Sequence, residues 1–418
     1  MGDLDLTAAT SEWKQGWRTV ASGWAGVVFM AAIPSVTGVV MAPLMAAFGW
    51  SRATIACNVL ISSALSLLLA PALGRLIAIF GARRCAMTAV ISAVPALLLI
   101  ATAGGSPLTW IAAWALFAVV NVGLSPMVWS TAVAGLFDEA RGAALAITLS
   151  GAGIAYFVFP PAAAVIVQRF GWRGVYVGLA ALMLATLLPL IFAWFRERRD
   201  LGAPPELPTR HHAAAAPLPG FSLGQAARMR QFWQFALIGA FVAVAEGALQ
   251  VHLFPILHEG GLSPATAAWI VSLMGIALTL GRLLTGFALD RLPPLQVFAA
   301  AILSVLFSCL LARGFAGNLS VGAAVAFFLG MGAGGTTNAL AYLTSRYFGL
   351  AAYAAIFGLL MGSFSLGYGI APVLAGHMRD AAQSYGPIFN WLAAALVVSC
   401  LLTLTLGRPK VAAKARGD

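Results

Sequence analysis

Arg282 sits in SLMGIALTLGRLLTGFALD, residues 272–290, and no other ionisable side chain occurs in that stretch before Asp290. A guanidinium does not give up its proton, so placing it in apolar surroundings demands a carboxylate or another anion as partner. Glu246, in FVAVAEGALQ, is the one carboxylate at comparable depth, about 14 residues or roughly 21 Å into its apolar run. A desolvated Glu can exist uncharged and carry a coupling proton, binding it more weakly whenever Arg282 approaches. It can equally stay permanently protonated or sit in a static ion pair. His252, six residues further on, titrates near 6.5 when unperturbed, which suits proton handling, although a lone helical His also serves packing. Asn121, Gln250, Asn338 and Tyr342 are polar at depths that can line a substrate cavity or bridge helices, and Trp24, Trp129, Tyr156 and Phe364 can wall a ligand or simply pack. The chemistry implied is capture of an anion by a fixed cation, with a proton carried beside it.

Long apolar elements must hold these residues. The chain is 61% hydrophobic and 9% charged, with a mean hydropathy of +0.93, far from the roughly 25% charged residues of soluble domains. Roughly ten or more stretches are apolar over 18 or more residues, and their spacing predicts an all-α protein of about twelve membrane-spanning helices. The expected spans are 20–48, 52–79, 84–104, 107–136, 140–168, 173–195, 230–259, 264–290, 295–313, 319–347, 350–378 and 384–407. The polar, Pro-rich stretch 196–229 is the one long break, so the predicted organisation is a six-helix bundle over 1–195, a cytoplasmic linker over 196–229 and a second six-helix bundle over 230–418.

The net charge of +11 comes from residues in short connections, without the interleaved aromatics of a nucleic-acid surface. Of the 24 Lys and Arg, about 18 fall on one side of the membrane when the segments alternate and about 5 on the other, leaving Arg282. The positive-inside bias makes the first side cytoplasmic and both termini internal, in a multi-pass protein of the inner (plasma) membrane. Cys57, Cys85, Cys309 and Cys400 are scattered singly and read as small buried hydrophobes. The polar, acidic start of the chain does not read as a cleavable signal. No Walker A string, HExxH, CxxC set or nucleophile elbow occurs, so no enzyme, cofactor or metal site is expected. The expected partners are a small organic anion, protons and the bilayer, but no nucleic acid, with a monomer as the working unit.

The two halves echo each other. GRLIAIFGARR (Gly74 to Arg84) ends the second expected span and GRLLTGFALDRLPP (Gly281 to Pro294) ends the eighth. GFALDR resembles the loop signature G-x-x-x-D-R of the major facilitator superfamily. The resemblance implies two six-helix bundles and gives Gly74, Gly81, Arg83, Arg84, Gly286, Asp290 and Arg291 a role in conformational gating. The first copy is eroded, with Ala78 and Ile79 where the family usually has Asp and Arg. GWSRATIA (Gly49 to Ala56), FDEARGAALAITLSGAGI (Phe137 to Ile154), FGWRGVY (Phe170 to Tyr176), VHLFPIL (Val251 to Leu257) and RYFG (Arg346 to Gly349) are similar to the monocarboxylate transporter and oxalate/formate antiporter group. In that group an arginine of the eighth helix binds the substrate carboxylate, and Arg282 falls on its position.

The departures narrow the substrate. Proton-linked relatives carry an Asp four residues before that arginine and a Lys in the first helix; here Leu278 stands at the former position and no Lys occurs between Arg18 and Arg52. The oxalate/formate antiporters place a Lys in the eleventh helix, where this chain has Phe364. One cationic anchor implies one carboxylate, with Val40, Met41, Ala42 and Phe364 as apolar surroundings. The expectation is proton symport, by alternating access, of a monocarboxylate with an apolar or aromatic body. The alternatives are an anion exchanger or an exporter of another small organic compound, and a non-transporting sensor with the same fold.

Overall fold

The computed structural model describes residues 2–137, 140–201, 220–349 and 351–407. They form helices α1 (Gly2–Phe48), α2 (Arg52–Phe80), α3 (Ala82–Ala101), α4 (Pro107–Asn121), α5 (Pro126–Ala134), α6 (Arg141–Leu182) and α7 (Leu188–Trp194). After them come α8 (Leu223–Ala227), α9 (Arg230–Glu259), α10 (Pro264–Leu289), α11 (Pro294–Arg313), α12 (Leu319–Phe348), α13 (Tyr353–Ala382) and α14 (Gly386–Leu404). Among the described residues the only β contact is an isolated bridge between Gly220 and Gly349.

Among the described residues eleven helical segments are long and apolar enough to cross a membrane. One of them, Arg141–Trp194, runs for 54 residues, about 80 Å at 1.5 Å per residue, which exceeds one bilayer core of about 30 Å more than twofold. It breaks at Gly171, whose φ of 72° and ψ of 177° are non-helical, so it supplies two crossings and brings the total to twelve. A single Gly suffices because only a residue without Cβ takes that backbone geometry cheaply. The same segment passes through a π-turn at Met183–Leu187 before α7.

The expected span 107–136 also differs in detail. After Asn121 the chain makes a 3₁₀ turn over Val122–Leu124, and α5 starts afresh at Pro126. Proline has no N–H to donate and its ring crowds the preceding turn, which interrupts the helical ladder. The carbonyl of Leu124, released by the break, accepts a hydrogen bond from Trp129 Nε1 at 2.8 Å.

The helices show an apolar outer surface. Leu108, Phe170, Trp391 and Leu404 are each more than 70% exposed, which water does not tolerate over so wide an area and lipid does. On α10 the buried residues recur at 267, 271, 274, 278, 281, 285 and 289, the spacing of one helical face, while Leu280, Leu283, Leu284 and Phe287 cover the opposite one. Exposed Trp233, Trp269 and Trp391 lie near the starts of α9, α10 and α14, the positions an interfacial aromatic belt occupies.

By internal contacts the chain forms two compact units, residues 1–50 with 64–209 and residues 51–63 with 210–418. In the first, Gly151 brings α6 against α1: a Cβ there would lie 2.5 Å from the Trp24 carbonyl oxygen. In the second, Gly367 does the same for α13 against the Ala240 carbonyl of α9, at 2.7 Å. Close backbone approach through small residues is how helices pack where lipid removes the hydrophobic drive. Of the expected linker, 220–229 folds onto the second unit: Phe221 N–H donates to the Phe348 carbonyl at 2.9 Å, and Ser222 with Gln225 forms a capping box on α8. The linker stretch 202–219 and the basic tail 408–418 lie outside the described residues.

Candidate functional site

Glu246 and Arg282 belong to the same unit, on α9 and α10. Glu246 is 2% exposed and lies near the middle of α9, about 24 Å from Arg230 and about 20 Å from Glu259. Arg282 is half-buried, two turns before the end of α10. The neighbour that organises both is α12, whose GMGAGGTTNA run (330–339) packs on α10. Cβ atoms added at Gly330 and Gly334 would lie 2.8 Å from the Leu278 and Arg282 backbone nitrogens. At this closeness Asn338 Nδ2 donates to the Arg282 carbonyl oxygen at 3.1 Å, fixing the turn that carries the guanidinium. Thr336, two residues earlier on α12, donates its hydroxyl to Glu246 Oε1 at 2.7 Å. Leu278, at the position where relatives hold an Asp, is buried with its backbone against Gly330 and Gly334.

The remaining candidates of this unit divide by helix face. Gln250 is one turn beyond Glu246 and accepts a hydrogen bond from the Tyr368 hydroxyl of α13 at 3.1 Å. Tyr342 is half-buried one turn beyond Asn338 on α12, and Phe364 is buried on α13. His252 is six residues past Glu246, about 240° around the helix, and so faces elsewhere. Its Nε2 lies 2.9 Å from the Pro372 carbonyl, an acceptor only, so Nε2 holds the proton and Nδ1 accepts from the Tyr385 hydroxyl at 3.0 Å.

In the first unit Asn121 ends α4 at the helix break, and its Oδ1 is buried with no hydrogen-bond partner among the described residues. Tyr156 is buried on α6, Trp24 half-buried on α1, and Trp129 fully buried with its indole N–H committed to Leu124. Gly74 is half-buried on α2. Gly81 turns between α2 and α3 at φ 89°, and a Cβ there would collide with the Glu197 carboxylate. Glu197 Oε2 accepts from the Ala82 N–H at 3.1 Å, at the positive end of α3. Arg83 donates to the Phe192 carbonyl at 2.6 Å and pairs with Asp200 at 3.6 Å, while Arg84 is exposed. Acidic groups thus reach this turn from beyond α7, where the sequence reading saw only a polar linker. The equivalent turn after α10 has Gly286 in open space, Asp290 as C-cap and Arg291 donating to the Phe287 carbonyl at 3.3 Å.

A second ionic cluster of the 51–63/210–418 unit escaped the sequence reading. Arg52, first residue of α2, pairs through Nη1 with Asp380 at 2.5 Å and through Nη2 with Glu259 at 2.7 Å. Asp380 Oδ2 also accepts the Arg52 backbone N–H at 2.9 Å, and Glu259 Oε2 accepts both Nε and Nη2 of Arg379 at 3.1 and 2.8 Å. The Arg379 guanidinium lies 5.5 Å from the ring centroid of Tyr385, the residue that reaches His252.

Set beside known proteins, the chain matches the sequence model of the Major Facilitator Superfamily over residues 23–260 and 237–417. It is 30% identical over 279 residues to human Monocarboxylate transporter 11, covering 63% of this chain and 55% of that protein, little more than half its length. Over 165 residues it is 28% identical to the Niacin transporter NiaP of Acinetobacter baylyi, covering 40% of this chain and 36% of that one. The structure superposes on a D-xylose-proton symporter with a TM-score of 0.73, 12% identity, and coverage of 94% of this chain and 98% of that one. The apolar crossings and outer surface of the described residues are those of a multi-pass membrane protein, and with the match over most of its length the chain belongs to the major facilitator superfamily, with similarity to the monocarboxylate transporters.

Proposed function

We propose that this protein moves a monocarboxylate with an apolar or aromatic body across the membrane together with a proton, with Arg282 as the carboxylate anchor and Glu246 as the proton carrier. The observation that carries this reading is that one helix holds both residues: Thr336 of α12 binds the buried Glu246 carboxylate, and Asn338, two residues on, binds the Arg282 carbonyl. Empty, the ionised carboxylate and the guanidinium balance each other. Loaded, a proton neutralises Glu246 and frees Arg282 for the substrate carboxylate. Both states are electrically balanced at the site, and acid and proton travel one for one. Gln250, Asn338 and Tyr342 serve as further contacts to the acid, and His252 stands second to Glu246 for the proton.

A dicarboxylate would need a second fixed cation, and Leu278 and Phe364 occupy positions where relatives hold charge. Apolar burial at roughly 25 cal/mol per Å² then favours larger acids over formate or acetate. The likeness to a transporter of niacin, itself an aromatic carboxylic acid, supports the same choice. The working orientation has both termini cytoplasmic, and the unit is a monomer.

The test is a thermal-shift panel on the purified protein, since a ligand of the folded state raises its apparent stability. Benzoate and longer apolar monocarboxylates should raise Tm, while formate, oxalate and succinate should not. Oxalate, or a neutral or cationic compound, stabilising best would overturn the reading and favour an exchanger or exporter. Uptake of labelled benzoate into proteoliposomes separates transport from sensing. Glu246→Gln should keep exchange of loaded benzoate and lose net proton-driven accumulation.

A further inference from the structure

We propose that Thr336 is the positioning residue of Glu246, a two-way hydroxyl that donates to the carboxylate when Glu246 is ionised and to the Ala333 carbonyl when Glu246 holds a proton. The proposal rests on Glu246 as proton carrier and says how that carrier is kept satisfied in both of its states.

Thr336 Oγ1 lies 2.7 Å from Glu246 Oε1 and 3.5 Å from the Ala333 carbonyl oxygen, so one hydroxyl proton has two acceptors in reach. Glu246 and Thr336 are each 2% exposed, and a buried polar atom left without a partner costs about 1–3 kcal/mol. A backbone N–H or an amide NH₂ can only donate, which suits a fixed carboxylate. A hydroxyl both donates and accepts. When a proton arrives on Oε1, the Glu246 O–H donates to Thr336 Oγ1, and the Thr336 hydrogen swings to the carbonyl one turn back, a bond helical threonines make readily. No covalent bond of Thr336 breaks; only donor and acceptor roles exchange.

The surroundings leave this exchange to one residue. Of the helices packed against α9, α10 brings Arg282 as its one charged side chain, while Arg313 of α11, Arg346 of α12 and His377, Arg379 and Asp380 of α13 all lie in the last turns of those helices. Tyr368 of α13 gives its hydroxyl to Gln250, Cys309 of α11 gives its thiol to the Phe389 carbonyl, and α14 carries Cys400 as its one ionisable side chain. On α12 the adjacent residues hold the other partner: Gly334 lies against the Arg282 backbone, and Asn338 binds its carbonyl. One helix therefore places the proton site through a hydroxyl and the anion site through an amide.

The experiment is a pH titration of the carboxyl C=O infrared band on the reconstituted full chain, with the Glu246 band assigned by its loss in Glu246→Gln. The wild-type band should titrate. Thr336→Val keeps the shape and loses a bond to both forms of Glu246, but the bond to the ionised form is the stronger, so the midpoint should move to higher pH by roughly one unit, a tenfold change in proton affinity. Thr336→Ser, with the hydroxyl retained, should stay within a few tenths of wild type. A Thr336→Val midpoint equal to wild type, beside a band that does titrate, overturns this proposal and leaves Glu246 as carrier. A band that does not titrate in wild type overturns the carrier itself. Should Thr336→Val fail to reach the membrane, Thr336→Cys, whose thiol is a weaker donor, gives the same readout with a smaller shift in the same direction.

Discussion

Two ionic clusters share the second unit and are built on opposite terms. Around Glu246 and Arg282, charge is sparse, and the hydrogen bonds come from a threonine and an asparagine. At the ends of α9 and α13 and the start of α2, four charged side chains pair with one another, 13–30% exposed, and Arg379 donates twice to one oxygen of Glu259 while Arg52 takes the other. A cluster in which each charge has a fixed partner holds structure in place. A deep carboxylate held by a hydroxyl, with a guanidinium positioned by the same helix, is suited to taking up a proton and an anion. The comparison teaches that a dense network of matched charges at helix ends and a deep carboxylate held by a hydroxyl suit different work, the first fastening helices and the second taking up a proton.

The largest effect should come from the sparse cluster. Arg282→Ala and Arg282→Lys are both expected to lower labelled-benzoate uptake by roughly 100-fold or more, with normal amounts in the membrane, because a point-charge ammonium does not reproduce a guanidinium fork. Wild-type uptake by Arg282→Lys would remove the assignment. In the rim cluster, Arg52→Gln should change uptake of the same acid by no more than a few-fold.

Stability should respond in the reverse sense. Replacing a buried pair by apolar side chains is often neutral or stabilising by about 1–4 kcal/mol, so Arg282→Met/Glu246→Met should hold or raise Tm while transport is abolished. Arg52→Gln removes one partner of a paired network and should lower Tm by about 2 °C, corresponding to roughly 1 kcal/mol. A fall in Tm for the double methionine variant larger than for Arg52→Gln would mean that the deep pair is the structural one, and the comparison would break.

What the sequence could show follows from the same contrast. Arg282 and Glu246 were visible because each is a lone charge in an apolar run, and the twelve crossings because their pattern is local. The Gly171 break and the 3₁₀ turn after Asn121 differ in this respect. The first falls between two apolar runs, whereas the second interrupts one and is signalled only by Pro126. The rim cluster was invisible because its partners lie 207 and 328 positions apart, and each charge at a helix end looks like an ordinary connection. Thr336 was invisible for another reason: threonines in apolar helices usually bond their own backbone, and nothing local marks one that turns to a neighbour. Glu197 and Asp200 look like linker in the sequence because their partners, Ala82 and Arg83, open α3, with Ala82 115 positions before Glu197.

The smallest effect, and the one that resolves the rim cluster further, is its dependence on salt. Raising ionic strength from about 0.01 to about 1 M shortens the Debye length from about 30 to about 3 Å, which weakens partly exposed pairs and hardly touches buried ones. The Tm difference between wild type and Arg52→Gln should therefore shrink in high salt, while the difference between wild type and Glu246→Met, at a side chain only 2% exposed, stays constant. Arg52→Gln keeps the backbone N–H that Asp380 Oδ2 accepts at 2.9 Å. Asp380→Ala loses that bond as well as the ion pair, so it should lower Tm further, and the additional part should persist in salt because it caps the first turn of α2 rather than pairing charges. Equal salt sensitivity of both rim variants would show that charge alone joins α2 to α13, and that the backbone hydrogen bond adds nothing.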